Sequence, residues 1–208
     1  PDVNINRNLE LLNEIKNVTG DRLKLLVNEG CLYKCPFRQF HFNDKSHLSK
    51  ELNKPGVDVS FADFFSAGTQ VIHDNLSQLL KSCWIRPEDI RRYSDITRYF
   101  KLVCRSKPKS FITRVIKAYM EENWSGDLLD LLSGCSNRIS TNEGIYIDNR
   151  VLEGCNFFET VTRCNHTCSQ CDYCQVLASQ IIQTGIFTPE KGEDVISTEE
   201  YAGLLKMN

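Results

Sequence analysis

Several features common in proteins of this size are missing here, and each absence narrows the choice. No stretch approaches the roughly 18 consecutive apolar residues that a membrane-spanning helix requires. No basic-then-apolar leader marks export, so the expected compartment is the cytoplasm. The net charge is only -2, which gives no global reason to expect nucleic acid, although 25 lysines and arginines allow local basic patches. A Gly-rich phosphate loop, a Ser-His-Asp arrangement and a His-Glu-x-x-His run are all absent, as are internal repeats and low-complexity segments. The chain begins with Pro1 in a context that already reads as mid-fold, the mark of a processed chain or a piece of something longer.

What the sequence does have is cysteine, ten in 208 residues. Without an export signal, clustered thiols point to metal ligation before disulfides. Six fall in two tight groups, Cys31 with Cys35, and Cys164, Cys168, Cys171 with Cys174. The second group has the spacing C-x3-C-x2-C-x2-C. Thiolates are soft ligands suited to zinc or iron-sulfur centres. Zinc usually takes two separated pairs, whereas a compact run with short gaps leans towards a 4Fe–4S cluster. We therefore expect Cys164, Cys168, Cys171 and Cys174 to hold a cluster, with zinc as the alternative. The first three also match the text pattern of radical S-adenosylmethionine enzymes, but they stand too late in the chain for that reading, and Arg38 replaces the third cysteine after Cys31 and Cys35.

The periodicity predicts a strand end at Val3–Ile5, a helix over 7–18, a strand over 23–27 and a short strand over 82–85. A helix should open at Arg86-Pro87-Glu88-Asp89, with proline in the first turn and acids at the positive end. A strand over 100–104, a helix over 110–123, a helical turn over 127–132 and a small strand at 145–147 follow. Alternation of strand and helix indicates an α/β fold with a parallel sheet. A complete (β/α)₈ barrel needs about 250 residues, so the expectation is a partial TIM-barrel-like (β/α) repeat over 1–148 with a Cys-rich extension over 149–208, a second helix near 175–183 and a closing one from Thr198. Reactive groups in such folds collect beyond the carboxyl ends of the strands. Cys31 and Cys35 stand there as expected cofactor ligands, with Cys83, Cys104 or the tail supplying further thiols. Arg38, His41 and Arg105 follow strand ends as candidates for the substrate face, since guanidinium forks suit carboxylate or phosphate. A surface ion pair explains each arginine as simply, and a structural hydrogen bond explains His41.

Three strings in register, NEGCLYKCPFRQFHFN, WIRPEDIRRY and FKLVCRSKPKSFITRVIKAYMEENWSGDLLDLL, resemble the later half of the peptidase family U-thirty-two, the collagenase-like proteins, over roughly residues 5–132. The shared features are Asn28-Glu29-Gly30-Cys31 at a strand end, Pro87-Glu88-Asp89-Ile90 at a helix start, and Lys101 to Arg105 before a helix that carries Tyr119. The resemblance implies a TIM-barrel-like fold with an iron-sulfur cluster, and oxygen-independent hydroxylation of tRNA bases or a quinone precursor. It places Cys31 as the cluster cysteine after the strand and Arg105 as the strand-end arginine. Cys104 stands where the family has glycine, and the earlier barrel half lies outside this sequence, so a second polypeptide or a preceding segment is expected to complete it. Two further readings stay open: a non-catalytic module stapled by zinc or a cluster that binds RNA or protein, and a peptidase, for which no nucleophile can be read.

Overall fold

The computed structural model describes residues 1–43, 68, 70–103, 107–134 and 144–185. Its regular elements are α1 (Leu9–Thr19), β1 (Lys24–Leu26), α2 (Ser77–Lys81), β2 (Tyr99–Lys101), α3 (Lys109–Glu121), β3 (Gly144–Ile147), α4 (Val151–Gly154), α5 (Phe157–Thr162), α6 (Tyr173–Ile181) and β4 (Ile182–Gly185). The architecture is mixed α/β. β1 pairs with β2 in parallel, and β3 pairs with β4 antiparallel. No closed barrel is formed among the described residues.

α1 starts where Asn8 accepts the Leu11 N–H at 3.0 Å, one position beyond Arg7, and stops at Gly20, whose φ of 60° suits glycine. Leu12 is its fully buried contact. α3 buries Phe111, Val115, Ala118 and Tyr119, a spacing of four and then three and one that keeps one face inward. Three expectations change. Val3–Ile5 is a 3-10 turn, because Asp2 accepts the Asn4 N–H at 2.8 Å and closes the chain on itself. Pro87–Tyr93 is likewise 3-10 and not α, held at its start by the buried Arg86–Asp89 pair. The segment 82–85 is extended and joins the sheet through one bond, Ile85 N–H to the Val27 carbonyl at 2.8 Å, too little to form a strand. The helix expected near 175–183 lies at Tyr173–Ile181, and Gln183 belongs to β4. The helix expected from Thr198 lies outside the described residues.

Successive residues at 84–85 and at the end of the 3-10 turn Leu128–Leu131 face opposite ways and split the interior into two cores. Ile85 and Leu131 face the core of Leu12, Leu25, Val27 and Val115. Their neighbours Trp84 and Leu132 face the core of Leu80, Ile147, Leu152, Phe157 and Leu177. The latter draws on both sides of residue 148, so the Cys-rich extension packs on the first part through shared apolar contacts.

The parallel pairing would end at Val27, which donates to the Lys101 carbonyl at 3.1 Å. Asn28 carries it further. Its fully buried amide donates to the Val103 carbonyl at 3.3 Å and the Leu131 carbonyl at 3.1 Å, while its Oδ1 accepts the Val103 N–H at 2.7 Å. Beyond it the chain switches partner: Ser133 donates to the Asn28 carbonyl and Gly30 donates to the Ser133 carbonyl, both at 2.8 Å. The side chain thus fills the gap where two neighbours diverge. Asn28→Ala would leave the buried Leu131 carbonyl and the part-buried Val103 N–H and carbonyl without these partners, each costing about 1–3 kcal/mol if water cannot reach it. We expect a loss of roughly 3 kcal/mol in the urea unfolding free energy, with an unchanged slope.

Candidate functional site

Past Asn28, the strand end delivers Glu29 and Cys31 to a cavity of about 160 Å³, which Cys35, Arg38, His41 and Phe42 also line. Gly134 closes it from the neighbouring segment with φ of 87°, a conformation that favours glycine, and a Cβ there would lie 3.9 Å from the Cys31 nitrogen. The turn between the two cysteines is tight. Cys35 N–H donates to the Leu32 carbonyl at 3.2 Å, and Lys34 is left-handed with φ of 49°. Lys34 is held in that conformation by its N–H, which donates to Asn4 Oδ1 at 2.8 Å.

This turn sets the Cys31 and Cys35 side chains on the wall of the same cavity. Cys31 is half-buried and Cys35 is buried. Burial pushes the Cys31 thiol up to about 11, with Cys35 and Glu29 adding to the shift and Arg38 opposing it. Without a metal, Cys31 is therefore a neutral thiol at neutral pH.

Arg38 stands where the sequence places it, but its fork is occupied. Nη1 pairs with Glu29 Oε1, Nη2 donates to Oε2 at 2.9 Å, and Nε lies 3.8 Å from Asp2 Oδ2. The guanidinium also sits 4.9 Å from the Phe42 ring centroid. Both side chains of the Arg38–Glu29 pair are about 10% exposed, so the arginine is chiefly a wall of the cavity that neutralises Glu29. The His41 ring lies near Phe37 and Phe40, with centroids 6.4 Å and 6.3 Å away. Arg105 lies outside the described residues, as do Cys104 and Cys135.

The second cysteine group forms the loop before α6. Cys164, Cys168 and Cys171 are exposed, while Cys174, in the first turn of α6, is half-buried. His166 is left-handed with φ of 59°, and its N–H donates to Cys164 Sγ at 3.3 Å. Its ring stacks on Tyr33 at 4.1 Å and 9°. Each of these rings occupies the middle of a C-x3-C spacing, so the stack lays the Cys31–Cys35 loop against the Cys164–Cys168 loop. Sequence reasoning missed that pairing, along with Glu29 as the partner of Arg38. The shared central position of Tyr33 and His166 was the available signal; no spacing rule links Glu29 to Arg38.

The donor set fits a soft metal: thiols on turns, one already accepting a backbone N–H, beside a second dithiol. As placed, the loop is open, and among the described residues no three His, Cys, Asp or Glu side chains gather closely enough to hold an ion. Thiolate sites commonly assemble only as the ion binds, because the ligands must lose protons and the loop must order around it. Among the described residues, no helix is long and apolar enough to cross a membrane.

No family model matches the chain, and no solved structure matches it. It is similar to an uncharacterized protease of Methanocaldococcus jannaschii, with 38% identity over 182 residues that make up 88% of this chain. The match spans 52% of that protein, so the chain covers about half of its length. By the relative's name, the similarity is consistent with a protease-like family.

The raised value at Cys31 carries a pH dependence of definite sign. The folded form favours the protonated thiol, so its contribution to stability is full below the ordinary value of 9.0 and is lost as pH rises towards about 11. In metal-free, reduced protein, Cys31 should therefore react with iodoacetamide much more slowly at pH 8 than Cys164, Cys168 or Cys171. Its rate should climb steeply as pH approaches 11, read by peptide mass spectrometry. Equal rates at pH 8 would show that Cys31 is not held in this environment.

Proposed function

We propose that this chain is the cluster-bearing half of a protein of the U-thirty-two type. In this reading, thiolates drawn from Cys164, Cys168, Cys171 and Cys174 hold a 4Fe–4S centre, with zinc as the alternative metal. The cavity of Cys31, Cys35 and His41 is the substrate face. The single observation that carries the reading is the Tyr33–His166 stack, which sets both C-x3-C loops side by side at one end of the fold. A bound cluster would supply one-electron chemistry, suited to oxygen-independent hydroxylation. The chain's own residues would do the rest: Cys31 and Cys35 offer a dithiol to the same centre or to the substrate, the Arg38–Glu29 pair fixes the cavity wall, and His41 is placed to donate or accept at the bound molecule. The remaining barrel, whether a further segment or a second polypeptide, would close the cavity, which agrees with the half-length match to the archaeal relative. An RNA base is among the substrates such a face would take.

The relative's name favours a second reading, a peptidase in which Cys31 attacks and His41 serves as base. Nucleophilic cysteines have lowered values, since the thiolate is the attacking species. Burial and the acidic neighbours act on Cys31 in the opposite direction, which favours the redox reading.

Anaerobically purified full-length chain should be brown, with iron and sulfide near four each per chain by the composition of such a cluster. Cys168→Ala should remove most of the iron, whereas Cys135→Ala should not. A colourless preparation with zinc in its place supports the alternative metal. Hydrolysis of a peptide substrate that disappears in Cys31→Ala would instead establish the peptidase.

A further inference from the structure

β2 ends the parallel sheet, and its outer edge carries backbone groups that the described residues leave unpaired. Its register with β1 sets Tyr99 beside Lys24 and Lys101 beside Leu26. The Lys101 carbonyl accepts the Val27 N–H at 3.1 Å, and the Val103 N–H donates to Asn28 Oδ1 at 2.7 Å, so both residues turn their backbone towards β1. Backbone groups alternate sides along a strand, so those of Phe100 and Leu102 point away from β1. Among the described residues no hydrogen bond reaches them, and no further strand joins β2.

Such an edge is a template for another strand, and chains that must keep it free place a proline or a bulge there. Residues 98–103 hold no proline. The side chains divide between two faces. Phe100 and Leu102 pack on the inner core, whereas Tyr99, at 48% exposed, and Lys101 stand on the open face with Lys24. Two copies related by a two-fold axis normal to the sheet would meet edge to edge and antiparallel. With the axis at Phe100, the two Phe100 residues exchange N–H to carbonyl bonds, and each Tyr99 lies directly opposite Lys101 of the other copy. An axis one position later would set the two Lys101 ammonium groups against each other, which is unfavourable. One position earlier, Lys101 would face Thr97, which is buried and bonded to the Leu23 carbonyl.

We propose that β2 pairs with β2 of a second copy of this chain, antiparallel about a two-fold axis at Phe100, so that two sheets become one. The inference goes beyond the metal reading above and stands or falls apart from it. A ring against an ammonium group, made twice, is the complementarity that selects this register. An edge so short makes an interface at the small, transient end of the known range. The pairing is therefore weak and is populated at high protein concentration.

The test follows the full chain, kept reduced, by sedimentation velocity and by amide hydrogen exchange read by NMR, both at rising concentration. The wild type should move from monomer towards dimer. Its Phe100 amide should gain protection with concentration, while the Val27 amide, already bonded within the sheet, should not change. Tyr99→Lys, at an exposed position, should weaken the dimer roughly tenfold by opposing like charges twice. Adding Lys101→Tyr to that variant restores the ring-to-ammonium pairs and should recover wild-type association. A urea melt of each variant separates lost association from lost fold, and if Tyr99→Lys does not fold the wild-type exchange decides alone. A wild type that stays monomeric, a Phe100 amide indifferent to concentration, or a folded double variant that does not recover would each overturn the inference. Protection of Phe100 already present at high dilution would mean that another stretch of chain covers the edge, and would overturn it equally.

Discussion

Buried backbone groups need partners, and at the end of β1 a single side chain supplies them. Asn28 spans the space between the segments of Val103 and Leu131, turning a diverging pair of neighbours into one surface. Its success fixes Gly30 against Ser133, which sets the direction in which Glu29 and Cys31 leave the sheet. An amide is the suitable group, because it offers donors to two carbonyls and an acceptor to one N–H in the same plane. Everything in the cavity is positioned downstream of that choice.

The N-terminal segment, Asp2 to Arg7, ties the two cysteine regions together. Asp2 lies beside Arg38, Asn4 holds the Lys34 turn and receives the Cys83 thiol, and Asn6 donates to the carbonyls of Leu26 and Cys83. Arg7 then enters the interior between Trp84 and Phe157. The consequence is electrostatic as well as steric. One region carries Cys31 as a protonated thiol beside the Glu29–Arg38 ion pair, and the other carries exposed thiols at Cys164, Cys168 and Cys171. Ionisation is opposed at Cys31, while at Cys83 and Cys174 Arg7 acts against the effect of burial. These are different chemical environments for the same side chain.

Helices and the first strand were legible in the sequence because their apolar spacing matches their burial. Leu12 in α1, Leu25 in β1, and Phe111, Val115 and Ala118 in α3 all fall where periodicity puts them. The helical turn expected over 127–132 is present as a 3-10 turn at Leu128–Leu131, but the 3-10 turn at Val3–Ile5 was not legible, since a side chain closing a short ring, as Asp2 does, competes with the pattern locally. At the site, the closeness of Cys31 and Cys35 followed from their spacing. Arg38 was found as a residue, and of the two readings given to it the ion pair is the one the structure displays, with a partner, Glu29, that reaches it only through the fold of the intervening turn. Arg105, the third expected member of the substrate face, lies outside the described residues.

The sequence by itself determined the alternation of strand and helix, the strand end that releases Cys31, and a stock of soft ligands in two short runs. Such features are local: a few residues settle them through spacing and side-chain chemistry. Only the tertiary structure decided that Tyr33 meets His166, that Arg7 lies between Trp84 and Phe157, and that Asn28 joins three segments. Those contacts link positions far apart in the chain, and they depend on how two apolar cores share one set of extended segments, which no short stretch encodes.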